Sequence, residues 1–179
     1  MLASNSRRYV ALLRGINLGA RNRVPMARLR ELCVEQGCED VTTYIASGNV
    51  VLSSWKEPDE LATTLERAIE KEFGHDVAVV VLTASEMAAV VKSNPFPNAA
   101  PGTLHVAFLA KPIDKSAVER LEKLSFPPEE LAVLGRQIYL HLPNGYGRAK
   151  LPTAMDRIVG KQATVRNWRT VATLSEMAS

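Results

Sequence analysis

Only two cysteines and 6% aromatic residues occur in this 179-residue chain, and no apolar run approaches the roughly 20 residues needed to span a bilayer. The missing run predicts no transmembrane helix and no membrane partner. Arg7-Arg8 has no apolar segment ahead of it and no cleavage-site pattern, which argues against a signal peptide and makes the cytoplasm the expected compartment. Cys33 and Cys38 lie five residues apart at the end of an expected helix, poorly placed for a disulfide. A C-x4-C with no second pair is also a poor metal signal, so two reduced, inert, partly buried thiols are expected.

Familiar catalytic patterns are missing too. His75, His105 and His141 are scattered, the last two on expected strands, and no set of residues suggests a metal. Ser47 precedes Gly48 without the frame of a nucleophile elbow. Neither the segment from Gly15 to Gly19 nor that from Gly145 to Arg148 completes a P-loop or a dinucleotide fingerprint, so no cofactor is expected. The basic regions hold no carboxylate pair for acid and base work, and whether any reaction is catalysed stays open.

Charge is present but unevenly placed. Residues 1–30 hold seven arginines (Arg7, Arg8, Arg14, Arg21, Arg23, Arg28, Arg30) and no acid, whereas residues 31–135 hold eight basic against seventeen acidic residues. From Arg136 to Arg169, seven basic residues accompany one acid, Asp156. Such a partition suggests a basic face drawn from the two ends of the chain; a solvated surface with uneven charge is the plainer alternative.

Apolar periodicity predicts strand 9–14, helix 25–37, strands 41–46 and 49–53, helix 58–73 and strand 77–82 in the first half. Ser47-Gly48-Asn49 supplies a tight hairpin turn, Gly37 and Gly74 end the two helices, and Thr83 with Glu86 forms a capping box for a further helix. The order then repeats: strand 104–110, helix 114–124 capped by Asp114, strands 130–134 and 137–142, helix 153–160 and a strand near 163–165. Asn167 caps a last helix with Val171, Leu174 and Met177 as its expected buried face. Each half is β-α-β-β-α-β plus a helix, the ferredoxin-like order, here in tandem duplication within an α+β chain. The expected subdomains are 8–93 and 103–178, joined by a Pro-rich linker at 94–102.

That topology brings the end of the first strand to the tip of the first hairpin. Arg14, Gly15, Asn17, Arg21, Asn22 and Arg23 are therefore expected near Ser47, Gly48 and Asn49, with Gly74, His75 and Asp76 close by. Guanidinium forks, glycine N–H groups and carboxamides suit a phosphate or carboxylate, and the start of helix 25–37 adds partial positive charge. Asn17 and Asn49 are equally the residues that brace turns. A second basic cluster, Arg148, Lys150, Arg166, Asn167, Trp168 and Arg169, is expected at one end of the second sheet, although for its last four residues the structural reading, Asn167 as a cap and Trp168 as a staple of the last helix, is the stronger one.

The segments YVALLRGINLG, RNRVPM, TYIASGNVVLSS, SNPFP, GYGRAKL and VRNWRTV, taken in order over residues 8–178, resemble a family of bacterial proteins known only as a domain of unknown function. The resemblance implies two ferredoxin-like subdomains and no established activity. It singles out Arg14, Gly15, Asn17, Tyr44, Ser47, Gly48, Asn49, Asn167 and Trp168. Ala46 stands where members usually carry Gln, and Ala20 where Gly is common. If that Gln contacts a ligand in relatives, the contact is lost here.

Three functions follow as alternatives. The first is binding, with or without enzymatic processing, of a small phosphorylated or carboxylated ligand at the Arg/Asn/Gly loops. The second is nucleic-acid binding through the basic face, which the scarcity of sheet aromatics disfavours, since RNA-binding sheets stack bases on them. The third is a non-catalytic protein-interaction module whose polar loops are purely structural.

Overall fold

The structure, a computed structural model, describes residues 5–179. It divides into one unit formed by the chain through Ala88 together with Leu174–Ser179, and a second formed by Ala89–Thr173. Each contains one four-stranded antiparallel sheet with helices, so the chain is α+β and duplicated.

In the first unit the order is β1 (Arg7–Leu13), α1 (Met26–Glu35), β2 (Glu39–Tyr44), β3 (Asn49–Ser54), α2 (Pro58–Phe73) and β4 (Val79–Thr83), and α3 (Ala84–Lys92) follows, its residues from Ala89 on belonging to the second unit. The sheet runs β2-β3-β1-β4, with Leu12 opposite Asn49 and Leu13 opposite Val79. Side chains alternate across a strand, so Tyr9, Ala11 and Leu13 share one face. There they pack with Leu29 and Leu32 of α1 and Leu61, Leu65 and Ile69 of α2. Each such leucine contributes about 1.5–3 kcal/mol by leaving water. Val10 and Leu12 are buried as well, which is why β1 reads as an unbroken apolar run.

The helix boundaries have local causes. Pro58 opens α2, and Gly74 closes it in the left-handed region at φ +71°, its N–H donating to Glu70 O. The expected capping box at α3 is present: Thr83 N donates to Glu86 Oε2 at 2.7 Å, and Glu86 N to Thr83 Oγ1 at 3.1 Å. Every strand of this unit departs from its expected bounds by one or two residues, and two of these limits have a local setting. β2 ends at Tyr44 rather than 46 because Ile45 turns to φ +48°, opening a longer loop, 45–48, than the tight turn predicted. β4 begins at Val79 rather than 77, and Val79 N donates to the Glu66 carboxylate at 2.9 Å.

The second unit contains β5 (Leu104–Leu109), α4 (Lys115–Glu122), β6 (Glu130–Leu134), β7 (Gln137–His141), α5 (Leu151–Val159) and β8 (Ala163–Asn167), and α6 (Trp168–Ala178) follows β8. Its sheet runs β6-β7-β5-β8, and Ala107, Leu109, Ile138 and Leu140 pack with Leu121 of α4 and Met155 and Val159 of α5. Asp114 caps α4 through Ala117 N at 2.7 Å. α5 starts two residues earlier than predicted because Glu129, far back in the chain, accepts from Lys150 N and Leu151 N. β8 runs two residues beyond its predicted end. On α6 the buried apolar residues are Val171, Leu174 and Ala178, with Thr170 buried beside them, so Ala178 replaces the expected Met177, in keeping with helical spacing.

Among the described residues no helix is long and apolar enough to cross a membrane. Cys33 and Cys38 are free and buried, and burial pushes the Cys33 thiol up to about 12.

Candidate functional site

β1 delivers the chain to a loop, residues 14–23, whose shape is set by left-handed backbone at Gly15 (φ +65°), Asn17 (+54°), Gly19 (+62°) and Asn22 (+49°). Asparagine tolerates that region because its short polar side chain bonds locally. Asn17 N donates to Asn22 O at 2.9 Å and Arg21 N to Leu18 O at 3.1 Å, closing a small hairpin. At its root Arg14 N donates to Ala78 O at 2.9 Å, which ties the loop to the segment carrying Gly74, His75 and Asp76.

The carboxamides in this region act on the backbone. Asn17 Nδ2 donates to Val24 O (2.9 Å) and Ala46 O (2.7 Å), while its Oδ1 accepts from Val24 N (2.8 Å). Asn22 Nδ2 donates to Gly15 O at 3.0 Å. Asn49, fully buried, donates to Tyr44 O and Ser47 Oγ, both at 2.9 Å. Gly48 accepts from Leu13 N at 2.8 Å, and a Cβ there would lie 2.8 Å from Leu13 Cβ. The two loops therefore meet as the topology predicted, through asparagine bonds to main chain.

The arginines divide by role. Arg28 pairs with Glu31, Glu35 and Glu72, and Arg7 with Glu57. Arg8 donates to Asp40 O and Arg30 to Thr43 Oγ1. Arg21 and Arg23 remain exposed, and neither forms an ion pair among the described residues. The expected basic face of the first unit thus contracts to the loop end.

Beside that loop lies a cleft of about 320 Å³ bounded by Asn17, Gly19, Arg23, Val24, Pro25, Met26 and Ala46. It fronts the start of α1, which has Pro25 at its N-cap, no side-chain cap and no acid in its first turn. The first N–H groups of a helix lack intrahelical acceptors. With Arg23 they give this cleft a donor-rich, positive character.

The second cluster does not form one surface. Arg166 and Asn167 are consecutive on β8 and so project to opposite faces. Arg166 is buried, donates to Val165 O, and is pushed down to about 10 by loss of solvent. Asn167 Oδ1 caps α6 through Thr170 N at 2.9 Å, and Trp168 is the half-buried first residue of that helix. Arg148, Lys150 and Arg169 are exposed.

Sequence reasoning passed over a pairing that cross-strand register reveals. Glu130 of β6 stands opposite His141 of β7, with Oε1 and Nδ1 3.2 Å apart. His105 packs against Tyr146 with ring centroids 4.9 Å apart and planes inclined by 45°, and burial lowers its pKa. A strand prediction carrying a register would have found the first pair; the second depends on a turn with no local signature.

Two antiparallel sheets in order 2-3-1-4, each carrying helices, define a protein of two ferredoxin-like subdomains. The chain belongs to the family described as protein of unknown function, DUF1697, whose model matches residues 7–139. It is similar in fold to a conserved bacterial protein, SP0830 from Streptococcus pneumoniae, with a TM-score of 0.76 and 22% identity over 97% of this chain and 99% of that one. No curated protein matches the sequence.

Proposed function

We propose that the loop end of the first unit binds a small ligand carrying a phosphate or carboxylate group. The observation that carries this reading is the uncapped, acid-free start of α1 facing a cleft lined by Arg23. An anion there would accept from the first-turn N–H groups and from the Arg23 guanidinium, the pairing that favours anions at helix N-termini. Arg14 and Arg21 flank the same loop and add positive charge, while Gly15 (φ +65°) and Gly48 (φ +88°), with Ser47 before it, set the course of the two loops that bound the cleft. Asn17, Asn22 and Asn49 serve the site by holding its loops, since their carboxamide donors bond to the fold.

Ala46 contributes its carbonyl to Asn17 and lines the cleft with a methyl group, so a polar side chain there is not what supports binding in this chain. The compartment we infer is the cytoplasm, and the ligand a soluble metabolite. The test is thermal stability at low salt with inorganic phosphate, pyrophosphate, sugar phosphates and carboxylic acids, for the wild type and Arg23→Ala. A ligand at 100 times its dissociation constant stabilises by about 2.7 kcal/mol. We expect that shift for at least one anion in the wild type and its reduction in the variant. An equal shift in both proteins would refute the reading.

A further inference from the structure

A second cleft, of about 430 Å³, lies within the other unit, where Phe96, Pro97, Ala100 and Pro143 form apolar walls around Glu130 and His141. Glu130 and His141 are the titratable residues lining it. The segment that brings Phe96 there is held by Asn94, whose Oδ1 accepts from Phe96 N at 2.8 Å. The Phe96 ring packs on the imidazole with centroids 5.6 Å apart and planes inclined by 33°.

A cross-strand His–Glu pair alone calls for no ligand, because two complementary side chains opposite one another on a sheet stabilise it. The cleft distinguishes this pair. In the neutral imidazole, with the carboxylate 3.2 Å from Nδ1, Nδ1 is the nitrogen that donates and Nε2 the one that accepts. A carboxylate in this position fixes a histidine's tautomer and ring orientation. The His141 side chain is only 21% exposed and shares the cleft with proline and phenylalanine carbon.

We propose that this cleft binds a small planar aromatic molecule bearing an acidic hydroxyl, of the phenol class. Its O–H donates to His141 Nε2, and its ring lies against Phe96 and the neighbouring prolines. Clefts of a few hundred Å³ that combine apolar walls with one or two directed polar groups are the ordinary form of small-molecule sites. A purely apolar aromatic would leave Nε2 without a donor, and a carboxylate would meet Glu130 as a like charge. Both are therefore poorer occupants.

The experiment uses the full chain and 4-nitrophenol, whose phenolate absorbs at longer wavelength than the phenol. Wild type should bind the neutral phenol saturably, its absorption band moving to longer wavelength as the O–H is polarised by donating to the imidazole. His141→Gln, losing the acceptor, should bind about tenfold more weakly and without the spectral shift, which corresponds to one good hydrogen bond. Glu130→Gln should fall between, and Phe96→Leu should weaken binding while keeping the shift. Non-saturable uptake by wild type, or an unchanged spectral shift in His141→Gln, overturns the proposal. Should His141→Gln fail to fold, the imidazole NMR signals of wild-type His141 decide instead. They should move as the probe is added, and their staying still overturns the proposal.

Discussion

Asn17 joins two loops that lie far apart in sequence: its amide donates to Ala46 O at 2.7 Å while its carbonyl oxygen accepts from Val24 N at 2.8 Å. Together with its bond to Val24 O, this makes one side chain the brace between the first loop, the start of α1 and the first hairpin. Asn17→Ala should therefore lower stability by about 2–4 kcal/mol, near 1 kcal/mol for each bond lost. Asn17→Gly, which accommodates φ +54° but supplies no bonds, should recover only about 1 kcal/mol of that. Urea unfolding of the three proteins checks both values, and a loss below about 0.5 kcal/mol in either variant would show the brace to be dispensable.

Gly48 and Gly19 both adopt positive φ, yet only Gly48 is enclosed. A Cβ at Gly48 would meet Leu13 Cβ at 2.8 Å and Ile16 Cδ1 at 2.9 Å, whereas nothing lies within 4 Å of one at Gly19. Gly19→Ala should cost about 1–2 kcal/mol from backbone strain alone. Gly48→Ala should cost clearly more, because Leu13 Cβ is fixed to a central strand and cannot swing away. Equal losses in the two variants would contradict this account.

Glu129 caps α5 from outside the helix, accepting from Lys150 N and Leu151 N. Glu129→Ala should destabilise the protein by about 1–2 kcal/mol, as loss of a helix cap does. Hydrogen exchange should accelerate first in residues 150–155. Uniform acceleration across the chain would argue that the cap is not local in effect.

His105 gives stability a dependence on pH. Burial lowers its pKa from 6.5, so in acid the unfolded chain takes up a proton that the folded protein resists. Well above pH 6.5 the residue is neutral in both states and contributes no pH dependence. As pH falls below 6.5 the folded protein should lose stability, until the folded group also protonates. His105→Gln should flatten the denaturation midpoint in that window, and an unchanged slope would assign the acid sensitivity elsewhere.

Much of this arrangement was legible in the residues. Unbroken apolar character in β1, a turn at Ser47-Gly48-Asn49 and glycines after α1 and α2 were enough for the element order. The order in turn brought residues 14–23 to the first hairpin. Caps made by near neighbours, Asp114, Asn167 and the Thr83–Glu86 pair, were readable for the same reason. What escaped depends on distant partners. Glu129 reaches the start of α5 across 22 residues, and Glu66 reaches Val79 across 13. Whether an asparagine faces a ligand or a carbonyl is likewise decided by packing, so Asn17 and Asn49 could be placed but their roles could not. The Arg148–Arg169 cluster shows the converse: closeness in sequence joined Arg166 and Asn167, which the strand sends to opposite faces.

The central claim is that the uncapped start of α1 receives an anion. The most direct measurement is the amide NMR spectrum of the protein titrated with inorganic phosphate at low ionic strength, in the wild type and in Arg23→Ala. The account predicts saturable shifts concentrated in the amides of Arg23, Met26, Ala27 and Arg28, weakened several-fold in the variant. Shifts scattered over the surface, or the same affinity in both proteins, would contradict it.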